Sequence, residues 1–187
     1  LKLLKTEIIN PTTLAWFERE VQLASQLTHP NTIQIYDYGH TEDGVFYYAM
    51  EYLPGITLED LVRRHGPLPA SRVVYLWRQV CLSLREAHAK GLIHRDIKPR
   101  NIMLCQLGGE DDVVKVLDFG LAKDAAAETD GSSATLRLAG TPRYMAPERF
   151  INPLQTDARV DIYACGVVAF KLLTGQDVCP SENDLEA

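Results

Sequence analysis

Residues 94–101 read His-Arg-Asp-Ile-Lys-Pro-Arg-Asn, and residues 118–120 read Asp-Phe-Gly. Asp96 offers a carboxylate that can accept a proton, and Lys98 places a cation two residues later. Asn101 and the carboxylate of the second stretch are oxygen donors of the kind that suits a hard cation such as Mg²⁺. With roughly one chance in twenty at each fixed position, such a pattern arises by accident on the order of 10⁻⁹ times per starting position. These two stretches therefore decide how the chain is interpreted.

The composition is that of an ordinary globular chain. The 187 residues are 46% hydrophobic and 24% charged, which is enough apolar material for a sizeable core. A net charge of -6 argues against a nucleic-acid partner. No apolar run reaches the roughly 20 residues that a membrane-spanning helix needs. We therefore expect a soluble chain with no membrane segment of its own.

Four cysteines, at positions 81, 105, 165 and 179, are widely spaced and form no Cys-x-x-Cys pattern. Their apolar surroundings predict buried free thiols in a reducing compartment, rather than disulfides or a zinc site. We therefore expect a cytoplasmic location, with any membrane tether outside this chain.

The first third of the chain predicts a strand, a helix and two more strands. Residues 1–5 alternate weakly, and the spacing of Phe17, Val21, Ala24 and Leu27 predicts a helix from about residue 16. Pro30 ends that helix. Strands are predicted at residues 33–36 and 45–52, joined by a turn.

The chain changes character at Pro54-Gly55, where we place the boundary between a small lobe, residues 1–53, and a mainly helical large lobe, residues 54–187. Thr57 is a predicted N-cap, and helices are predicted at about residues 70–89 and 158–173. The buried stripe of the 70–89 helix is predicted to comprise Val73, Val74, Trp77, Val80, Cys81, Leu84 and His88. Between these helices, an apolar hairpin has an acidic tip at residues 108–112. We interpret that tip as a solvated turn, because it lacks the acid spacing of calcium loops.

The quoted stretches resemble the catalytic loop and the metal-binding Asp-Phe-Gly of protein kinases. Residues 140–148, Gly-Thr-Pro-Arg-Tyr-Met-Ala-Pro-Glu, resemble the kinase segment that receives the substrate. The resemblance implies an α+β, two-lobe kinase fold. It also implies truncation at both ends, because the Gly-rich loop would precede residue 1 and the last helices would follow residue 187.

The resemblance assigns catalytic roles residue by residue. Asp96 is similar to the catalytic base, and Lys98 to the lysine that contacts the transferred phosphoryl group. Asn101 and Asp118 are similar to the residues that hold Mg²⁺.

A second set of residues resembles the ATP-binding groups of kinases. Lys2 is similar to the strand lysine that contacts the ATP phosphates, and Glu20 to the helix glutamate that pairs with it. Lys5 is the solvated alternative to Lys2, and Glu20 alone could be a surface charge. The residues that resemble the adenine pocket and hinge are Met50, Glu51 to Leu53, and Met103. Without the flanking motifs, Met50 would be an ordinary core methionine.

Residues 121–140 are rich in Ala, Ser, Thr and Gly and would be a flexible linker if they stood alone. Between the two kinase-like motifs they resemble an activation loop. Arg95 and Lys123 are similar to cations that grip a loop phosphate. The predicted phosphorylation sites are Thr135 and then Ser133, while Thr141 stays with the substrate site.

Together these resemblances imply an ATP-dependent protein Ser/Thr kinase of bacterial type that acts on a protein substrate. Lys98 and the 140–144 segment favour Ser/Thr over Tyr acceptors. Arg100 stands where kinases that prefer basic substrates often carry an acid, so no such preference is expected. The alternatives are a kinase-like binding module, which would have lost one of the motif residues, and a small-molecule phosphotransferase, which generally lacks the 140–148 pattern.

Overall fold

The computed structural model describes residues 1–3, 11–119, 142–151 and 157–178 of the chain. Within these ranges it contains six strands and five α-helices. In chain order they are β1 (Lys2–Leu3), α1 (Pro11–Ser25), β2 (Ile35–His40), β3 (Phe46–Met50), β4 (Gly55–Thr57), α2 (Leu58–His65), α3 (Ala70–Ala89), β5 (Ile102–Leu107), β6 (Glu110–Val116), α4 (Glu148–Ile151) and α5 (Arg159–Thr174).

The first sheet is antiparallel, in the order β1-β3-β2, and α1 covers it. The Phe17 ring packs edge-on against Phe46, with ring centroids 5.0 Å apart, and Val21 is fully buried beside them. The predicted apolar helix face is therefore confirmed, but α1 begins at Pro11 rather than near residue 16. Strand β2 lies later than the predicted 33–36, because Ile33 pairs with the end of β6 instead.

The second sheet is antiparallel, in the order β4-β5-β6. A side chain at Gly55 would collide with the backbone oxygen of Leu104, so the close approach of β4 to β5 requires glycine there. Val116 N–H donates to Asn31 O at 2.8 Å, and Ile33 N–H donates to Val116 O at 2.9 Å. These two hydrogen bonds join the segment after α1 to the strand that leads into Asp118.

Helix α2 begins where Thr57 was predicted to cap it, and α3 spans the predicted range. Thr57 is the N-cap of α2, where its hydroxyl accepts a hydrogen bond from Asp60 N–H at 3.1 Å. Helix α3 spans Ala70–Ala89, but its predicted stripe was partly wrong, because Val74 and Cys81 are exposed. The buried positions are Val73, Leu76, Val80, Ser83, Leu84 and Ala87. Apolar residues surround more than half of this helix, so their spacing alone did not fix which of them face β6 and α5.

Helix α5 packs against α3 and completes a continuous apolar core. Its apolar residues Val160, Ala164, Val167, Val168 and Leu172 are all buried. Burying a Val or Leu side chain contributes on the order of 1.5–3 kcal/mol. Cys105 and Cys165 are buried free thiols, as predicted, whereas Cys81 is a free thiol at the surface, and Cys179 lies outside the described residues. Among the helices of the described ranges, none has the length and apolar character that crossing a membrane requires.

Candidate active site

The loop that carries Asp96 is anchored by a buried carboxylate from α5. Asp161 is 1% exposed, and its two oxygens accept the N–H groups of His94 and Arg95, each at 2.8 Å. His88 on α3 adds a third contact, with Nε2 2.7 Å from Asp161 Oδ2. Arg95 adopts a left-handed backbone, with φ of 61°, which costs energy in a residue with a side chain. The Asp161 contacts therefore hold the loop in a conformation that it would not adopt alone.

The electrostatics of Asp161 follow from these contacts. Burial alone would raise the pKa of its carboxyl group, but the hydrogen bonds from His88, His94 and Arg95 outweigh burial, so its pKa lies below the usual value. Asp161 is thus an ionised anchor at neutral pH.

Three side chains of the loop converge, as the motif predicts. Lys98 Nζ lies 2.9 Å from Asp96 Oδ2, and Asn101 Nδ2 donates to the same oxygen at 3.0 Å. Asn101 Nδ2 also donates to Asp96 O at 2.8 Å, so one amide fixes both the backbone and the side chain of Asp96. The Asp96 side chain keeps 16% of its surface exposed. The carboxylate is therefore oriented yet reachable.

His94 connects this loop to the Asp-Phe-Gly stretch. Burial lowers its pKa, so the ring is neutral at pH 7, with Nε2–H donating to Leu117 O at 2.8 Å and Nδ1 accepting Asp96 N–H at 3.2 Å. The buried Phe119 ring lies against it, with ring centroids 4.6 Å apart. The two motifs therefore form one packed unit.

Asp118 lies directly after β6 in a left-handed conformation, with φ of 50°. Lys2 Nζ is 2.6 Å from its Oδ1, and the Tyr48 hydroxyl donates to the same atom at 3.0 Å. Burial, together with the Asp118 carboxylate, raises the pKa of Tyr48 above its ordinary value, so its hydroxyl keeps its proton.

The predicted Lys2–Glu20 ion pair is absent from this structure, in which both residues are described. Strand β1 places Lys2 opposite Tyr48, beside Asp118. Glu20 on α1 instead pairs with Arg95, with Oε1 2.9 Å from NH1 and both side chains largely buried. In this conformation the two residues therefore have different partners, Lys2 with Asp118 and Glu20 with Arg95.

Two oxygens at the site fit the Mg²⁺ that the resemblance implies. Leu117 N–H donates to Asn101 O at 2.8 Å, which brings Asn101 beside Asp118. Within the described part of the chain, Asn101 Oδ1 and Asp118 Oδ2 accept no hydrogen bond. Mg²⁺ prefers such hard oxygen ligands and takes waters or phosphate oxygens in its other positions.

The residues predicted for the adenine pocket and hinge lie at the junction of the two sheets. A small apolar cluster contains buried Leu53, with Met50 and Met103 packed against it. Glu51 Oε1 accepts Gln34 N–H at 2.8 Å and lies 2.6 Å from Lys115 Nζ. The Glu51 side chain thus ties the hinge to β6, while the neighbouring methionines provide an apolar wall.

The predicted loop residues Lys123, Ser133, Thr135 and Thr141 lie outside the described residues. Their roles stay predictions. Of the predicted phosphate-gripping pair, Arg95 alone is described, and Glu20 is one of its partners.

Several residues of the site were missed from the sequence. Tyr48 and Lys115 contact Asp118 and Glu51 across 70 and 64 positions of sequence, and no local pattern marks them. Arg149, whose NH1 donates to Arg95 O at 2.7 Å, is likewise distant. Asp161 offered a signal, because a carboxylate at the start of an otherwise apolar helix is costly to bury unless it accepts hydrogen bonds.

Comparison with known proteins points to one family. The protein kinase domain family model matches residues 1–187. The chain is 44% identical over 187 residues to the serine/threonine-protein kinase pkn3 of Myxococcus xanthus, an alignment covering 98% of this chain and 34% of that protein. It is 36% identical over 180 residues to the serine/threonine-protein kinase PknB of Mycobacterium leprae, covering 94% and 28%.

The fold is similar to that of the kinase domain of Mycobacterium tuberculosis PknI, with a TM-score of 0.74 and 26% sequence identity. That match covers 96% of this chain and 64% of the PknI chain. The chain therefore spans about a third or less of the length of the two curated relatives, and less than two thirds of the solved kinase domain.

Proposed function

The chain belongs to the protein kinase domain family, and from this premise we propose that it acts as an ATP-dependent protein serine/threonine kinase. The proposed reaction transfers the γ-phosphoryl group of ATP to a Ser or Thr hydroxyl of a protein. One observation carries the proposal, namely that Lys98 and Asn101 both lie within 3.0 Å of the Asp96 carboxylate while Asp118 lies beside Asn101.

Asp96 is proposed to orient the acceptor hydroxyl and accept its proton. The amide of Asn101 and the ammonium of Lys98 hold Oδ2 of Asp96. The Asp96 side chain keeps 16% of its surface exposed, so an acceptor hydroxyl can reach the carboxylate. In phosphoryl transfer a protein mainly positions groups and neutralises charge, so the main proposed contribution of Asp96 is the fixed orientation of its carboxylate.

Lys98 is proposed to contact the transferred phosphoryl group, while Asn101 and Asp118 hold Mg²⁺, which neutralises phosphate charge when it is bound. Lys2, with Glu20, is proposed to contact the ATP phosphates. Lys2 Nζ already lies 2.6 Å from Oδ1 of the proposed metal ligand Asp118. Lys2 is therefore close to the position at which ATP phosphates would meet the metal.

Adenine is proposed to bind against the hinge. Met50 and Met103 supply apolar surface, and the backbone of residues 51–53 supplies hydrogen-bonding groups. The Glu51–Lys115 pair supports this proposal, because it fixes the hinge backbone through the Glu51 side chain. The division into lobes at residues 1–53 and 54–187 and the cytoplasmic location also remain proposals.

The experiment is phosphoryl transfer by the protein expressed from its complete reading frame, compared with its Asp96→Asn variant. We expect nearly unchanged ATP binding and a loss of turnover of about 10²–10⁴-fold, the usual contribution of a positioned base. Turnover is followed with radiolabelled ATP. Full turnover by Asp96→Asn would show that the base is assigned wrongly, and ATP binding without any turnover in the unmodified protein would favour the kinase-like binding module.

A further inference from the structure

A pocket of about 230 Å³ lies beside the catalytic loop. Its charged and hydroxyl-bearing lining residues are Glu59, Lys98, Arg100, Arg143, Tyr144 and Lys171. Lys98 belongs both to this wall and to the catalytic group, with its ammonium 2.9 Å from Asp96 Oδ2. A substrate whose hydroxyl reaches Asp96 therefore has its neighbouring residues beside this pocket.

The pocket has more cations than carboxylates. Three of its four cations have carboxylate partners, in the pairs Lys98–Asp96, Arg143–Asp177, Lys171–Asp177 and Lys171–Glu59. Arg100 is exposed and has no ion-pair partner among the residues that the structure describes. Among the described residues, Arg100 is thus the lining cation that can take up a further negative charge.

The pairing also holds the lining in place. Lys171 is only 14% exposed, and Asp177 lies 3.1 Å from its Nζ and 2.6 Å from Arg143 NH1. Burial would lower the pKa of Lys171, but its contacts with Asp177, Tyr144 and Glu59 prevail and raise it, so it stays charged. Because these cations are partly shielded from water, their attraction for an anion is stronger than at an open surface.

We propose that this pocket, the Arg100 pocket, binds an acidic side chain of the protein substrate close to the acceptor Ser or Thr, a proposal that rests on the proposed kinase function. The Arg100 guanidinium can form paired hydrogen bonds with one carboxylate, which would neutralise its charge. An extended peptide advances about 3.3–3.6 Å per residue. The pocket is close to Asp96, because Lys98 both lines the pocket and contacts the Asp96 carboxylate. The acidic residue therefore lies within about three positions of the acceptor.

A substrate with Lys or Arg at this position would meet the opposite effect, since like charges repel in a partly shielded site. A phosphorylated side chain shares the chemistry of a carboxylate with a larger charge, about -1.5 to -2. The pocket thus favours acidic substrates, and the experiment separates the two sources of negative charge.

The test measures kcat/KM with peptides that differ at one position only. Each peptide carries Glu, phosphoserine, Ala or Lys at one of the three positions on either side of the acceptor. With the protein from its complete reading frame, we expect Glu to exceed Ala by at least 10-fold at one position, and Lys to fall below Ala. A preference for phosphoserine over Glu at that position assigns the pocket to an already phosphorylated substrate and supports the anion site.

Arg100→Glu should abolish or reverse the ratio of Glu to Lys peptides, and Arg100→Ala should reduce it. Arg78→Glu is the matched control, because Arg78 is an exposed arginine on α3 that does not line the pocket, and it should keep the ratio. Calorimetric binding of the Glu and Lys peptides tests the pocket without turnover. Equal binding and equal kcat/KM for all four peptides at every position overturn the proposal. That result leaves the proposed function intact if the Ala peptide is phosphorylated, whereas no phosphorylation of any peptide counts against the function itself.

Discussion

Lys2 Nζ lies 2.6 Å from Asp118 Oδ1, so the proposed phosphate-contacting lysine is the counter-ion of the proposed metal ligand. Both side chains are partly exposed, at 45% and 33%. An ion pair of that exposure contributes roughly 0–1 kcal/mol to stability. Separating the pair therefore costs little, and each group can exchange its partner when a charged ligand arrives.

Asp118→Ala tests this relationship through the ligand rather than through stability. Removing the carboxylate should weaken Mg²⁺-dependent nucleotide binding by at least about 10-fold, because a charged contact contributes on the order of 1.5–3 kcal/mol. A fluorescent nucleotide titrated at several Mg²⁺ concentrations measures the effect.

The control for this variant is Asp157→Ala, which removes an exposed carboxylate paired with Arg159 and should leave binding unchanged. If Asp118→Ala binds Mg²⁺ and nucleotide as tightly as the unmodified protein, Asp118 is not the metal ligand.

Glu20 and Arg95 should be coupled in the ligand-free protein. Their side chains are 16% and 21% exposed and lie 2.9 Å apart, so a double-mutant cycle to Ala should give a coupling on the order of 1 kcal/mol in the free energy of unfolding. The matched cycle is Lys2 with Glu20, which should be additive in unfolding because the two residues are not paired here.

The Lys2–Glu20 cycle can also be measured in kcat/KM, where we expect the opposite result. If Glu20 leaves Arg95 to hold Lys2 during turnover, the double variant loses little more activity than either single variant. Additive losses in kcat/KM would mean that Glu20 and Lys2 do not meet during turnover either.

The catalytic loop could be predicted from the sequence because its chemistry is local. Asp96, Lys98 and Asn101 lie within six residues, and a short loop keeps them together. Helix α3 spans the predicted range, and Pro69 directly before it and Gly91 shortly after it are residues that commonly flank a helix. The family model and the relatives confirm the kinase fold over the described chain.

Ion-pair partners could not be predicted in the same way. Lys2 pairs with Asp118 rather than with Glu20, and this choice depends on where α1 sits relative to β1, which no residue spacing encodes. The Glu51–Lys115 contact depends on how the end of β3 meets β6, across 64 positions of sequence. The stripe of α3 was partly wrong for a related reason, since its neighbours rather than its own pattern select the buried face.

The anchor Asp161 predicts a specific pH dependence of stability. Its folded pKa is depressed, so its stabilising contribution is complete above the unfolded value of about 3.9 and is lost as the pH falls through the folded pKa. Asp161→Ala leaves His94 N–H and Arg95 N–H without their acceptor and should cost about 2–4 kcal/mol at pH 7.

Denaturant unfolding at pH 7 and at progressively lower pH checks this prediction. The difference in the free energy of unfolding between the unmodified protein and Asp161→Ala should narrow as the pH drops below about 3.9. A gap that stays constant down to the acid limit would mean that the carboxyl group does not act as a charged anchor.

Phosphorylation of the segment at residues 121–140 is predicted to act through Arg95. A phosphate on Thr135 or Ser133 would carry about -1.5 to -2 charges and would compete with the single charge of Glu20 for the Arg95 guanidinium. Lys123 is predicted to supply a second cation. Because Glu20 loses part of its attraction to Arg95 in that state, it becomes available to Lys2, and we expect activity to rise at least several-fold.

Mass spectrometry of the active protein locates the phosphate, and kcat/KM is compared for the Thr135→Ala, Ser133→Ala and double variants. Thr129→Ala, in the same segment, is the control that should retain activation. An unphosphorylated segment together with undiminished activity of the double variant would refute this mechanism.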